Sequence, residues 1–454
     1  MATDVSSSNI EVISAKWVIP LADAPVDPSV QAAANPTPVL IDHAVALQGD
    51  SIIAVAPTEQ ILADYPDARH TRLDSHIIMP GLINAHGHTA MTLLRGMADD
   101  HPLMEWLEQH IWPAEAQQVS YEFVHDGATL GIAEMLLSGT TCFSDMYFFP
   151  DATAAAAEKL GMRAQINFPI LEAPSAWAQS AEEYFDKGLT VSDEYRHSPL
   201  VTTAFGPHAP YTVSDNSFER IAILAEEIDC NIHIHLHETA FEVSSATEQY
   251  GVQPIERLNR LGVLSPRTQA VHMTQIDQQA QNLLLQTGAS VIHCPNSNLK
   301  LASGYCPAAQ LQALGVRVGL GTDGAASNNT LNLFDTLRCA ALLAKHETKD
   351  AAALNASQAL RMATVEGARA IGIDDRVGSI EAGKQADIIA IDVNNPAMQP
   401  MYSPVSQLVY TEAGAAVTHV WIAGAAKVVD RQLVDIDTQA IIAKAQWWQE
   451  QVFA

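Results

Sequence analysis

The sequence predicts an α/β protein: a (β/α)8 TIM-type barrel with a small β-sandwich built from both ends of the chain. Between about residue 77 and residue 375, eight strand-like apolar runs alternate with amphipathic stretches, which fits a closed barrel better than an open sheet. Histidines and carboxylates stand at the C-terminal tips of those runs, on the rim where barrels of this kind carry their chemistry. Residues 45–56 and 386–429 are β-rich with glycine turns, so the two termini are expected to share one small β-structure. The expected division is 1–76 and 376–454 for the sandwich and 77–375 for the barrel.

Taken in order, residues 45–56 hold two β-rich runs joined by a Gly49–Asp50 turn, a composition suited to a tight hairpin. The first four barrel strands are expected at IIMPGLI (77–83), TTCFSDMYF (140–148), RAQINFPIL (163–171) and VTTAFGP (201–207). The next four are NIHIHLH (231–237), AVHMT (270–274), SVIHCP (290–295) and RVGLGT (317–322). FERIAILAEEI (218–228), QQAQNLLLQ (278–286) and PAAQLQALG (307–315) have helical periodicity between them. The first unit is long, and Leu103 to Ser138 holds extra helical material expected to cap the barrel mouth. ADIIAIDV (386–393) and HVWIAGAAKVV (419–429) return to short strands.

Composition narrows the function classes. At 454 residues with 48% hydrophobic and 17% charged, the chain is long enough for a large core and is globular in character. Its 24 basic residues stand against 52 acidic ones, a formal charge of −28. Such a surface repels phosphate backbones and anionic lipid, so neither nucleic acid nor a membrane is an expected partner. MATDVSSSNIEV lacks the basic and apolar regions of a secretory signal, and no apolar run is long enough to span a bilayer. The five cysteines are scattered and contain no CxxC, which suits a reducing cytoplasm.

The tips of the barrel strands carry the chemistry. His86 and His88 end the first run; residues i and i+2 of a strand share a face, so both imidazoles can converge on one metal ion. His208 follows the fourth strand, His235 and Glu238 end the fifth, His272 lies on the sixth and Asp323 ends the eighth. Any one of these is ordinary core packing, whereas seven such residues on one rim are hard to explain that way. Within HIHLH the period of two places His233, His235 and His237 on one face and cannot choose among them. His293, on the seventh strand, is a further residue that could touch a ligand, and Glu115 alone reads as a solvated helix-end carboxylate.

PGLINAHGH, HLHET, GTDGAASNN and VGSIEAGKQADIIAID resemble the amidohydrolase superfamily, in its branch of aminohydrolases acting on purine-like rings. DDHPLMEWLEQHIWPAE, AFGPHAPYT and SNLKLASG are similar to the methylthioadenosine/S-adenosylhomocysteine deaminases within it, and the likeness runs from about residue 10 to 430. The resemblance implies that His86, His88, His235 and Asp323 ligate one Zn2+ per subunit, with Fe2+ as the alternative ion. It implies Glu238 as the proton shuttle, His272 and Asp323 as partners of the attacking water, and Glu115 and His208 as contacts to the nucleoside. The implied reaction is hydrolytic deamination of an adenine nucleoside, foremost 5'-methylthioadenosine, in a cytoplasmic homo-oligomer. A second metal in some relatives needs a carboxylated lysine on the fourth strand, and VTTAFGPHA has none. Relatives that accept the amino-acid tail of S-adenosylhomocysteine hold its carboxylate with arginines after GMRA. Here residues 165–186 contain neither lysine nor arginine, and Phe168 and Trp177 are expected to offer apolar surface instead.

Other readings compete. GLGTDG matches the GxGxxG phosphate fingerprint, yet it closes the strand series instead of opening it, and Asp323 would face a pyrophosphate. No PCxxC of the cytidine-deaminase zinc site occurs. A scaffold that merely kept the fold would be expected to lose ligands. Within the enzyme class, guanine deamination and triazine chlorohydrolysis or aminohydrolysis remain alternatives, since a fold does not fix a substrate.

Overall fold

The computed structural model describes residues 10–23 and 37–452. The first four strands, β1 (Ile10–Val18), β2 (Leu40–Gln48), β3 (Ser51–Pro57) and β4 (Arg69–Pro80), belong to one sheet. Eight parallel strands follow: β5 (Leu82–Gly87), β6 (Thr140–Met146), β7 (Arg163–Ile170), β8 (Val201–Pro207), β9 (Asn231–Leu236), β10 (Thr268–His272), β11 (Ser290–His293) and β12 (Val318–Leu320). They pair in sequence order, with helices between them, as a (β/α)8 barrel. β13 (Ile388–Asp392), β14 (Val417–Ile422), β15 (Ala425–Val429) and β16 (Gln432–Leu433) then return to the first sheet.

The termini join where β13 runs antiparallel to β4, with Ile78 opposite Ala390. Ile13, Val45, Leu47 and Ile78 from one end share an apolar cluster with Ile388, Ala390 and Trp421 from the other. Buried Arg163 on β7 donates through Nε and Nη2 to Asp387 just before β13, at 2.9 and 3.0 Å, and so ties barrel to terminal sheet. A bidentate pair of this kind resists removal of either partner, because the other charge would be left buried alone.

One expected strand is divided. The apolar run 77–83 is not a single strand: β4 keeps residues up to Pro80 in the terminal sheet, and β5 begins at Leu82. Gly81 is the joint, packed so closely that a Cβ there would lie 2.0 Å from Thr141 Oγ1. A glycine permits such close backbone approach, and apolar continuity alone does not mark it. The other seven strands and the three helices fall where periodicity places them.

The ring closes at its catalytic end. Thr322 N donates to Asn84 Oδ1 (2.9 Å) and Asp323 N to His86 O (3.1 Å), bringing the end of β12 beside β5. A Cβ on Gly321 would sit 2.7 Å from the His86 Cβ, so the glycine of the apparent phosphate fingerprint serves strand contact. Over the barrel mouth lie the helix Leu103–Trp106, a π-helical turn Leu107–Ile111 and the helix Trp112–Gln118. The last helix, Thr438–Val452, packs Trp448 edge-on against Phe123 in an apolar cluster shared with Trp106 and Ile111 of this cap. Among the described residues no helix is long and apolar enough to cross a membrane, and all five cysteines are free.

Candidate active site

β5 ends by pointing two imidazoles into the barrel mouth. His86 is the penultimate residue of β5, and His88 follows its end. Asp323, just beyond β12, places Oδ1 3.2 Å from His86 Nε2 and 3.3 Å from His88 Nε2. Potential ligand atoms of His86, His88 and Asp323 lie within 4.8 Å of one another, as do those of His86, His235 and His272. The tip residues named from sequence are therefore brought together. Among His233, His235 and His237, only His235 enters a cluster.

Each imidazole is oriented from behind. His88 Nδ1 is 2.5 Å from the Met146 carbonyl, and His235 Nδ1 is 2.7 Å from the His208 carbonyl. A carbonyl only accepts, so both Nδ1 atoms carry hydrogen and both Nε2 atoms present lone pairs to the cavity. His86 Nε2 is buried and makes no hydrogen bond, an orphan expected where a ligand belongs. Burial holds the His86 pKa down to about 4 and that of His235 well below the ordinary histidine range. Neutral imidazole nitrogens beside a carboxylate are a donor set that fits a divalent metal. Asp323 is held by Ser297 Oγ, which donates to Oδ2 at 2.6 Å, with Ser327 Oγ at 3.3 Å.

Glu238 stands in the turn after β9, buried, with Oε1 3.8 Å from His272 Nε2. Burial raises its proton affinity. Two residues that sequence reasoning missed hold this pair. Glu242 accepts from the backbone N–H groups of His237 (2.9 Å) and Glu238 (2.8 Å), spanning a turn in which His237 has φ +52°. Asn298 Oδ1 lies 2.9 Å from His272 Nδ1. The signals were present: Thr239 and Glu242 have the spacing of a helix capping box, and PNSN is a polar tip after the seventh strand.

The cluster forms the floor of a cavity of about 470 Å³. Its outer wall is cap and loop, including Leu103, Trp106, Ile111, Trp112, Phe148 and Leu171. Glu115, on the cap helix, lines it half-buried and accepts from Tyr147 Oη at 2.6 Å. Burial pushes the Glu115 pKa up to about 7 against the opposing pull of that hydrogen bond. This overturns the solvated-carboxylate reading, because the cap folds Glu115 inward. His208 also lines the cavity, its pKa lowered to about 4 by burial. Phe168 and Trp177 do not line it; both pack into the core, and Pro169, Leu171, Ala173, Pro174, Ser175 and Ala176 form that wall instead. His293 is buried outside the lining.

The model of the amidohydrolase family matches residues 77–427. The chain belongs to the amidohydrolase family. It is 54% identical over 413 residues to a 5-methylthioadenosine/S-adenosylhomocysteine deaminase of Teredinibacter turnerae, covering 91% of this chain and 93% of that one. A deaminase of the same description from Saccharophagus degradans is 50% identical, covering 98% of this chain and 97% of that one. Among solved structures, a zinc-bound adenosine deaminase of Xanthomonas campestris superposes with a TM-score of 0.91 at 48% identity, covering 98% of both chains. The chain is thus a family member of the methylthioadenosine/S-adenosylhomocysteine deaminase type.

Proposed function

We propose that the protein deaminates adenine nucleosides by hydrolysis, converting 5'-methylthioadenosine to 5'-methylthioinosine and ammonia in preference to S-adenosylhomocysteine. Family membership makes it a hydrolase acting on carbon–nitrogen bonds. The observation that carries the reading is the cavity: its floor is the His/Asp cluster with Glu238, and among the described residues its lining contains no lysine or arginine.

His86, His88, His235 and Asp323 would hold one divalent ion, zinc by preference. When bound, that ion supplies Lewis acidity that makes water a nucleophile near neutral pH. Glu238 delivers a proton to purine N1, because attack at C6 otherwise leaves negative charge on the ring. Asp323 accepts the proton that the water loses, and His272, fixed by Asn298, orients that water. Asp323 then passes its proton to the amino group while Glu238 takes back the proton of the new C6 hydroxyl, so that the C6–N bond breaks, ammonia leaves and both carboxyl groups return to their starting states. Glu115 accepts hydrogen bonds from the ribose hydroxyls, and His208 contacts the nucleoside with the nitrogen that Thr212 leaves free.

The 5' end decides between substrates. A thiomethyl group gains by burial against the apolar wall, about 0.8 kcal/mol per carbon. The carboxylate of an amino-acid tail would lose hydration in a cavity whose other charges include Glu115, Glu238 and Asp323. Ammonia release from 5'-methylthioadenosine, S-adenosylhomocysteine, adenosine and guanine tests both parts. We expect the highest kcat/KM with the first; equal or higher efficiency with S-adenosylhomocysteine refutes the preference, and silence with every nucleoside refutes the function.

A further inference from the structure

His233, a strand residue outside the clusters, touches His86, whose Nδ1 faces another imidazole where those of His88 and His235 face backbone carbonyls. Its Nε2 lies 2.8 Å from His86 Nδ1, with both rings buried and nearly parallel, 5.0 Å between centroids. Two neutral imidazoles can share that contact in either sense, and the sense decides which His86 nitrogen keeps a lone pair for the cluster.

The direction is fixed from the far end of a buried chain of side chains. The backbone carbonyl of Ile371 can only accept, and Asn231 Nδ2 lies 2.9 Å from it, so that atom is the amide's donor end. Asn231 Nδ2 also donates to Gln165 Oε1 at 3.0 Å, which fixes the Gln165 amide with its nitrogen toward Gln269. Gln165 Nε2 donates to Gln269 Oε1 at 2.8 Å, and Gln269 Nε2 returns a bond to Gln165 Oε1 at 3.1 Å. Gln269 Oε1, an acceptor, is 2.6 Å from His233 Nδ1, which must therefore carry hydrogen. A neutral His233 then has Nε2 bare, and His86 donates its Nδ1 hydrogen to it. The remaining His86 nitrogen, Nε2, is left with its lone pair 3.2 Å from Asp323 Oδ1.

We propose that His233 is a positioning residue that sets the tautomer of His86 for metal binding, its own tautomer set by the relay Ile371–Asn231–Gln165–Gln269. The inference rests on the reading of His86 as a ligand. It gives the invariant direction of one hydrogen bond a job: a proton on His86 Nε2 would block coordination, and the relay forbids it. Outer partners of this type typically change metal affinity about 10–100-fold when removed.

The test compares His233→Phe, which keeps a ring and removes both nitrogens, with His233→Gln, whose amide oxygen falls near the lost Nε2. Zn2+ affinity is measured by chelator competition, with Tm of each metal-free variant as the folding control. We expect His233→Phe to bind Zn2+ about 10–100-fold more weakly and His233→Gln to stay within about threefold of the parent. Unchanged affinity in His233→Phe, or equal loss in both variants, overturns the proposal. Should neither variant fold, 15N spectra of histidine-labelled, Zn2+-loaded parent protein decide it: both His86 and His233 must carry hydrogen on Nδ1, and Nε2–H on either overturns it. His86→Ala separates the failure of the underlying reading, since Zn2+ binding that survives that change removes His86 from the site altogether.

Discussion

Removing the Tyr147 hydroxyl should convert substrate binding into a titration. Tyr147 Oη donates to Glu115 Oε1 at 2.6 Å, and burial has already carried the Glu115 pKa up to about 7. A hydrogen bond to a charged acceptor is worth about 1.5–3 kcal/mol, so Tyr147→Phe should raise that pKa further by about one to two pH units. The sign follows: a raised carboxyl pKa means less carboxylate at a given pH. At pH 7 about half of Glu115 is ionised in the parent and about a tenth to a hundredth in the variant. If the carboxylate accepts the ribose hydroxyls, KM for 5'-methylthioadenosine at pH 7 rises roughly fivefold to fiftyfold, kcat stays put, and the gap closes above about pH 9. In the parent, KM should climb as pH falls from 8 to 6. Steady-state ammonia release across pH measures both parameters. A KM penalty independent of pH would mean that Tyr147 acts by shape, and an unchanged KM would remove Glu115 from nucleoside binding.

Glu238→Gln keeps size and polarity but cannot hold the shuttled proton, so kcat should fall about 10²–10⁴-fold with metal content unchanged; a loss of only a few-fold assigns the shuttle elsewhere. His235→Ala should abolish stoichiometric metal and activity while leaving the circular dichroism of the folded chain, and a fully metallated active variant refutes the ligand set. Buried His237 and His293 have pKa values lowered by burial to about 4 and about 3. Below the ordinary value of 6.5 the unfolded chain binds protons that the folded one refuses, so stability is complete above that pH and declines as pH falls toward 4. At pH 5 the two together should cost about 4 kcal/mol relative to pH 7.5, read by urea unfolding, and a pH-independent midpoint contradicts their burial as neutral rings.

The barrel was legible because its strands are short apolar runs with polar tips, a pattern that survives without any knowledge of contacts. Gly81 was not, because Ile77 to Ile83 reads as one apolar run and the close approach to Thr141 belongs to a strand sixty residues away. The clustering of His86, His88, His235 and Asp323 at one rim was legible for the same reason as the barrel, since these residues stand at strand ends. The residues that hold the rest of the site were less legible: Tyr147 acts on Glu115 and Asn298 on His272 across 32 and 26 residues of sequence, and Glu242 acts through the backbone N–H groups of His237 and Glu238. Glu115 shows the converse: a carboxylate on an amphipathic stretch looks solvated until the cap turns it over a cavity. Phe168 and Trp177 were placed on the right segment and given the wrong side: Phe168 on β7 packs against Gly188 of the helix Ala181–Tyr195, and Trp177, in the loop between them, packs against Tyr184 of that helix.

The readiness of this site for a metal is decided by main-chain position more than by the histidines themselves. His88 and His235 owe their tautomers to the carbonyls of Met146 and His208, which lie at the ends of the neighbouring strands β6 and β8. A slip of one residue in either pairing would present an N–H or a side chain in place of that acceptor. Burial then lowers the pKa values of His86 and His235 and leaves Nε2 of His86 without a hydrogen bond, an arrangement that costs about 1–3 kcal/mol for a buried polar atom left unsatisfied. Gly321 extends the same logic to Asp323. Only without a Cβ can β12 approach β5 closely enough for the Asp323 N–H to reach the His86 carbonyl and its carboxylate to reach the His86 ring. Strand register, one glycine and three outward hydrogen bonds thus pre-arrange lone pairs that a flexible rim of the same residues would scatter.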